Sequence, residues 1–133
     1  MFLKNFFTYL SLKGGLSMEN QFFIVTKNED ENIITLKFVD TCQKIDAKNY
    51  ESIQNSAIEF LKKCKEDSNF IFDLDNVIYV SSAGLRMFSS VNKVAQELNV
   101  DYKLINLRKD ILKLFQLTGY ASIFKIEEKV EFN

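Results

Sequence analysis

The stretch Asn69–Leu74, NFIFDL, constrains the fold most. It is a near-continuous apolar run of strand length. Runs of this kind mark strands covered on both faces, as in parallel sheets. Around it, short apolar runs alternate with longer segments of helical period. Gln21–Lys27 (QFFIVTK) reads as one strand, rich in Phe, Ile and Val. Ile33–Phe38 reads as a second, with Ile34, Leu36 and Phe38 alternating against Thr35 and Lys37. The polar segment Asn28–Asn32 makes the hairpin between them. Val77–Val80, Tyr102–Ile105 and Ile123–Ile126 supply the remaining strand signals.

Three segments carry the 3.6-residue period instead. After Asp46, the residues Tyr50, Ile53, Ala57, Phe60, Leu61 and Cys64 form one stripe. Asp46 is the expected N-cap, and Lys62, Lys63 and Lys65 suit the negative end of the dipole near residue 65. Leu85, Phe88, Val91, Ala95 and Leu98 form a second stripe, with Met87 and Val94 at its edge. Arg108–Leu117 is the third helix. The order is β-β-α-β-α-β-α-β. It predicts an α/β fold with a mixed, mostly parallel sheet of four to five strands and crossover helices packed on it. With 133 residues and no internal repeat, one domain is expected.

Composition excludes several functions. The chain has no His, so it lacks the commonest general base and the commonest neutral metal ligand. A net charge of −1 excludes a generally basic nucleic-acid binder. Cys42 and Cys64 form no CxxC pair and read as two reduced thiols. No phosphate loop of the G-x-x-x-x-G-K-[ST] kind is present. Asp73 and Asp75 have no third ligand type beside them. No cofactor, metal or catalytic residue is expected.

Residues 1–17 (MFLKNFFTYLSLKGGLS) stand apart as an N-terminal extension. Lys4, Asn5 and Thr8 break the apolar run, so it is neither a signal peptide nor a membrane span. Lys13-Gly14-Gly15 can be encoded by a purine-rich ribosome-binding sequence two codons before Met18. The expectation is that 1–17 lies upstream of a true start at Met18, and that 18–133 is the single domain.

The chemistry concentrates at Tyr79–Phe88, YVSSAGLRMF. In a parallel α/β sheet, the turn from a strand end to a helix start is where ligands and partners are read. Here it holds two hydroxyls and a glycine. Gly84 either allows close approach or adopts positive φ. Ser82 occupies the expected N-cap position, and it is also a candidate phosphoacceptor. A phosphoserine places about −1.5 to −2 charges at a helix start, where free N–H groups can receive them.

These residues resemble the STAS domain of the bacterial anti-sigma factor antagonist (anti-anti-sigma factor) family. The resemblance runs from about Phe22 to Ile126. It rests on IDAKNY (45–50), FIFDLDNVIYVSSAGLRMF (70–88), YKLINL (102–107) and FQLTGYASIFKI (115–126). It implies a cytoplasmic module that binds an anti-sigma factor which is a GHKL-type serine kinase; a monomer is the default expectation. The kinase phosphorylates a serine and breaks the complex; a serine phosphatase restores it; sigma-factor-dependent transcription follows the switch. Matching Gly84-Leu85 to the family's Gly-Leu places the phosphoacceptor on Ser82, with Ser81 second. The family's preceding Asp falls on Ser81, and its second Ser on Ala83. The resemblance implies a partner face of Asp46, Ser81, Ser82, Ala83, Gly84 and Leu85. Asn106, after a strand at the same sheet end, and Arg86 and Lys93, on the exposed side of the helix after Ser82, are further candidates for that face. No direct nucleic acid and no membrane span are implied. The alternative is an unphosphorylated accessory subunit of another complex, such as a lipid transporter, which Ser81 in place of Asp motivates.

Overall fold

The computed structural model describes residues 10–12, 15–28 and 30–130. Most of the extension, residues 1–9, 13 and 14, lies outside the described residues. The strands are β1 (Leu10–Leu12), β2 (Gly15–Glu19), β3 (Phe23–Asn28), β4 (Ile33–Phe38), β5 (Lys44–Ile45), β6 (Asn69–Asp73), β7 (Tyr79–Val80), β8 (Asp101–Leu107) and β9 (Lys125–Glu128). The helices are α1 (Tyr50–Lys62), α2 (Ser82–Glu97) and α3 (Lys109–Leu117), with a short 3-10 turn at Tyr120–Ser122.

Seven strands form the main sheet, in the order β1-β2-β3-β4-β6-β8-β9. The first three pairings are antiparallel, and β4–β6, β6–β8 and β8–β9 are parallel. The sheet is therefore wider than the four to five strands expected. β1 and β2 were missed because Leu10–Glu19 has neither strict alternation nor a long apolar run. β5 and β7 form a separate parallel pair of two residues each; β7 falls within the Val77–Val80 run, whereas β5 is too short for any periodicity to register.

β6 sits between β4 and β8, as its apolar run requires. Its two faces differ, however. Phe70 and Phe72 are fully buried, whereas Ile71 and Asp73 are half-buried. The same holds on β4, where Ile34, Leu36 and Phe38 are buried and Thr35 and Lys37 are not. The buried side meets the helices. Phe72 contacts Phe88 of α2 edge-on at 5.1 Å, and Phe38 stacks on Phe72 at 5.8 Å. Phe88 reaches Phe115 of α3 at 5.9 Å. Ile53, Ala57, Phe60 and Leu61 of α1 complete this core. The Tyr102 hydroxyl satisfies itself in the core by donating to the Phe88 carbonyl at 2.8 Å.

Two helix starts differ from expectation. The cap of α2 is Ser81, not Ser82. The bonds expected of Asp46 fall in the turn just before α1. There the Asp46 carboxylate accepts from the N–H groups of Lys48 (2.9 Å) and Asn49 (3.3 Å), and the Asn49 amide oxygen accepts from the Asp46 N–H at 2.9 Å. This is the reciprocal pattern of a capping box. Leu98 is partly exposed at the frayed end of its stripe, and Met87 is fully buried rather than at the edge.

Candidate functional site

The small pair β5–β7 builds the site. Its register sets Lys44 beside Tyr79 and Ile45 beside Val80. The Ser81 N–H donates to the Ile45 carbonyl at 2.8 Å. The next residues of the two strands, Asp46 and Ser81, therefore emerge side by side at one end of the pair. The sequence separates them by a whole helix and strand, but the pairing unites them.

Ser81 and Ser82 divide the work. Ser81 has extended backbone (φ −81, ψ 174), and its hydroxyl oxygen accepts from the Gly84 N–H at 3.2 Å. Its carbonyl accepts the first helical bond from the Leu85 N–H at 2.9 Å. Ser82 is the first residue of α2 and is exposed. Among the described residues its hydroxyl has no hydrogen-bond partner. A helix start leaves several N–H groups unsatisfied near this hydroxyl. Ser81 has consumed one of them.

Gly84 serves close approach, with no positive φ. A Cβ there would lie 2.8 Å from Val80 Cγ1, 2.9 Å from the Ile45 carbonyl oxygen and 3.0 Å from Ile45 Cγ2. The start of α2 is thereby pressed onto β5 and β7. Ala83, Gly84 and Leu85 are buried and form the floor of the loop. Arg86 and Lys93 are exposed along α2.

Asn106 lies at the end of β8, within the strand. Its φ of +61 accompanies a register irregularity between Leu104 and Leu107 in the pairing with β9. Asn tolerates this conformation better than most residues. Its side-chain amide donates to Asp73 at 3.0 Å, and the same carboxylate oxygen accepts from the Asp75 N–H at 3.0 Å. Asp75 in turn meets Lys129 at 2.9 Å and Lys37 at 3.8 Å. The Asn76 amide donates to the Phe38 carbonyl at 2.9 Å. These bonds tie Asn106 to the segment that leads into β7.

Sequence reasoning gave Ile78 and Tyr79 no surface role. Both belong to the apolar run Val77–Val80, yet they are 41% and 50% exposed, while Val77 and Val80 beside them are buried. They stand immediately before the serines and make the loop's surface partly apolar. No periodicity over four residues could have exposed them. On the other flank, a groove of about 490 Å³ is lined by Asp40, Gln43, Lys44, Asp46 and Asn49. Beneath it lies Cys42, whose thiol is pushed up to about 11 by burial and by the nearby negative charge of Asp46. Both cysteines are free thiols. Among the described residues, no cluster of His, Cys, Asp and Glu could hold a metal ion, and no helix is long and apolar enough to cross a membrane.

The architecture thus defines a class: a mixed α/β module that displays a serine at a strand-to-helix turn, with an acidic residue paired beside it. The STAS domain family matches residues 25–133, and the chain belongs to that family. Among curated proteins, it is 30% identical over 67 residues to BtrV of Bordetella bronchiseptica, whose name assigns it to the anti-sigma factor antagonists. That match covers 50% of this chain and 58% of BtrV, so the chain spans little more than half the length of this relative. Among solved structures, a STAS domain anti-sigma factor antagonist of Planctomyces limnophilus superposes with a TM-score of 0.70 at 14% identity, over 80% of this chain and 89% of that one. A Thermotoga maritima protein assigned to the same group superposes with a TM-score of 0.67 at 16% identity, over 81% and 87%. At these identities the two structures show a shared fold.

Proposed function

We propose that this chain is an anti-sigma factor antagonist switched off by phosphorylation of Ser82. The observation that carries the reading is the division between the two serines. Ser81 is committed to capping α2, whereas the Ser82 hydroxyl is exposed and unbonded at the helix start. A kinase needs such a hydroxyl. A phosphate there meets free helix N–H groups on one side, so it costs the fold little. On the other side it stands near Asp46, where added negative charge repels a partner that docks on the unphosphorylated loop.

The departure of Ser81 from the family's Asp is compatible with this reading. Ser and Asp are comparable N-caps. Ser81 performs the capping that an Asp would perform, without its charge. The docking face comprises Asp46, Ser81, Ser82 and Arg86 over the floor of Ala83, Gly84 and Leu85, with Ile78 and Tyr79 as its apolar part. Asn106 is tied to the segment that leads into β7. The partner is an anti-sigma factor of the GHKL-type serine kinase class, a serine phosphatase reverses the modification, and the complex regulates sigma-factor-dependent transcription in the cytoplasm. The chain itself performs no catalysis and acts as a monomer.

The test is phosphate mapping by mass spectrometry after incubation with native cell extract and ATP. Phosphate on Ser82 is expected, and its loss in Ser82→Ala. Phosphate on Ser81 instead, or on neither serine, contradicts the switch. Absence from both serines together with recovery on a transporter complex points to the accessory-subunit reading.

A further inference from the structure

α2 carries two cations, Arg86 and Lys93, and both are exposed. Their neighbours along the helix differ. Lys93 has Glu97 one turn ahead, at i+4. Arg86 has no acid at i±3 or i±4, where Ser82, Ala83, Ser89 and Ser90 stand. Among the described residues the Arg86 guanidinium makes no ion pair and no hydrogen bond. The first turn of α2 holds no acidic residue either. Ser82 lies four residues before Arg86, and both are exposed. Residues at that spacing on a helix have Cβ atoms about 5–6 Å apart. Helix side chains lean toward the N-terminus, so a long one at 86 reaches back over the turn that holds Ser82.

We infer that Arg86 is the intramolecular ligand of a phosphate on Ser82. The inference rests on the proposed phosphorylation of that serine. The phosphate brings about −1.5 to −2 charges to the i−4 position of an arginine that has no acid of its own. An acid four residues before a base is the favoured orientation of such a pair. The guanidinium fork meets two phosphate oxygens at once, whereas a lysine ammonium acts as a point charge. The unmodified Ser82 hydroxyl is neutral, so the ion pair exists only in the modified chain. Phosphorylation then alters the docking face twice. It adds negative charge near Asp46, and it withdraws Arg86, the one cation among the residues of that face. The switch is thereby an exchange of partners by one guanidinium as well as a repulsion.

The full chain with phosphoserine incorporated at position 82 during translation tests this without any kinase. Phosphorus NMR follows the second ionisation of the phosphate, and nitrogen-edited spectra follow the Arg86 Nε–H. With Arg86 present, the phosphate should ionise at a pH at least about 0.3 lower than in Arg86→Gln, roughly a twofold bias toward the dianion. Arg86→Lys should retain part of this difference. The Arg86 Nε–H signal should move with the same midpoint as the phosphate. Sodium chloride at about 1 M should shrink the difference between the variants. Lys44 and Asp46 at the end of β5, and Lys48 just after it, flank the loop in every variant, so the comparison isolates Arg86. Equal phosphate midpoints with Arg86 and with Arg86→Gln overturn the proposal, as does an Arg86 signal indifferent to the phosphate titration. A Ser82 left unmodified in native extract would sink the switch and leave these midpoints untouched, so the two readings fail separately.

Discussion

Three positions around the start of α2 have separable energetic roles. Ser81→Ala removes the side chain that caps the helix and should cost about 1 kcal/mol. Ser82→Ala removes an exposed hydroxyl without a partner and should change stability by less than about 0.5 kcal/mol. Urea denaturation of the two variants reads the difference directly. Gly84→Ala sets two effects against each other. Alanine favours a helix interior by about 1 kcal/mol. Its Cβ, however, would stand 2.9 Å from the Ile45 carbonyl oxygen, a backbone atom that cannot rotate away. Overpacking of this kind costs about 1–3 kcal/mol, so the clash wins and the melting temperature should fall. The serine-glycine turn was legible in the sequence, because SSAGL stands between a strand and a helical stripe. Which serine caps was not legible. That depends on where the first helical bond forms, and the Ile45 carbonyl fixes the position by holding the Ser81 N–H.

Among the elements, the longer periodic ones were legible and the shorter ones were not. The strand at Ile33–Phe38 and the buried stripes of α1 and α2 follow from alternation and helical spacing. β5 and β7 are two residues each and exist because they pair with one another. The site depends on that pair, so its acidic half could be placed only by resemblance before the pairing was seen. β2 raises a different question. It pairs with β3 from Gly15↔Asn28 to Glu19↔Ile24, so a start at Met18 would remove three of its five residues together with β1. The anchor of this corner lies beyond that point. Asn20 accepts from the N–H groups of Phe22 and Phe23, both at 2.8 Å, and its amide donates to Ser56 of α1 at 3.0 Å. Among the residues whose burial is described, the first fully buried apolar side chain is Phe23, with Met18 and Phe22 packed partly buried against the core. A chain of residues 18–133 should therefore fold cooperatively, with the near-ultraviolet signature of the full chain. Loss of that signature would place residues 10–17 within the essential core. Asn20→Ala should cost more than the truncation does, since it leaves a buried and a part-buried N–H group unmatched, at about 1–3 kcal/mol for the buried one.

At the scale of the whole molecule, the three titration shifts among the described residues point the same way. Burial raises Cys42 to about 11, burial raises Cys64, and burial raises Tyr102 well above its ordinary value. In each case the neutral form is the one the fold prefers. Stability from these groups is therefore complete below about pH 9 and declines as pH rises through the folded values. Unfolding midpoints should be flat from pH 7 to 9 and should fall above that range. A Cys42→Ser variant should flatten part of the decline. The serine loop carries the central claim. The most direct test is recovery of partners from native cell extract by wild type, Ser82→Ala and Ser82→Asp. Capture of a GHKL-type kinase by wild type and Ser82→Ala, reduced at least 100-fold in affinity for Ser82→Asp, is the predicted result, and corresponds to about 2.8 kcal/mol. Equal capture by all three would contradict it and make the serine a structural residue.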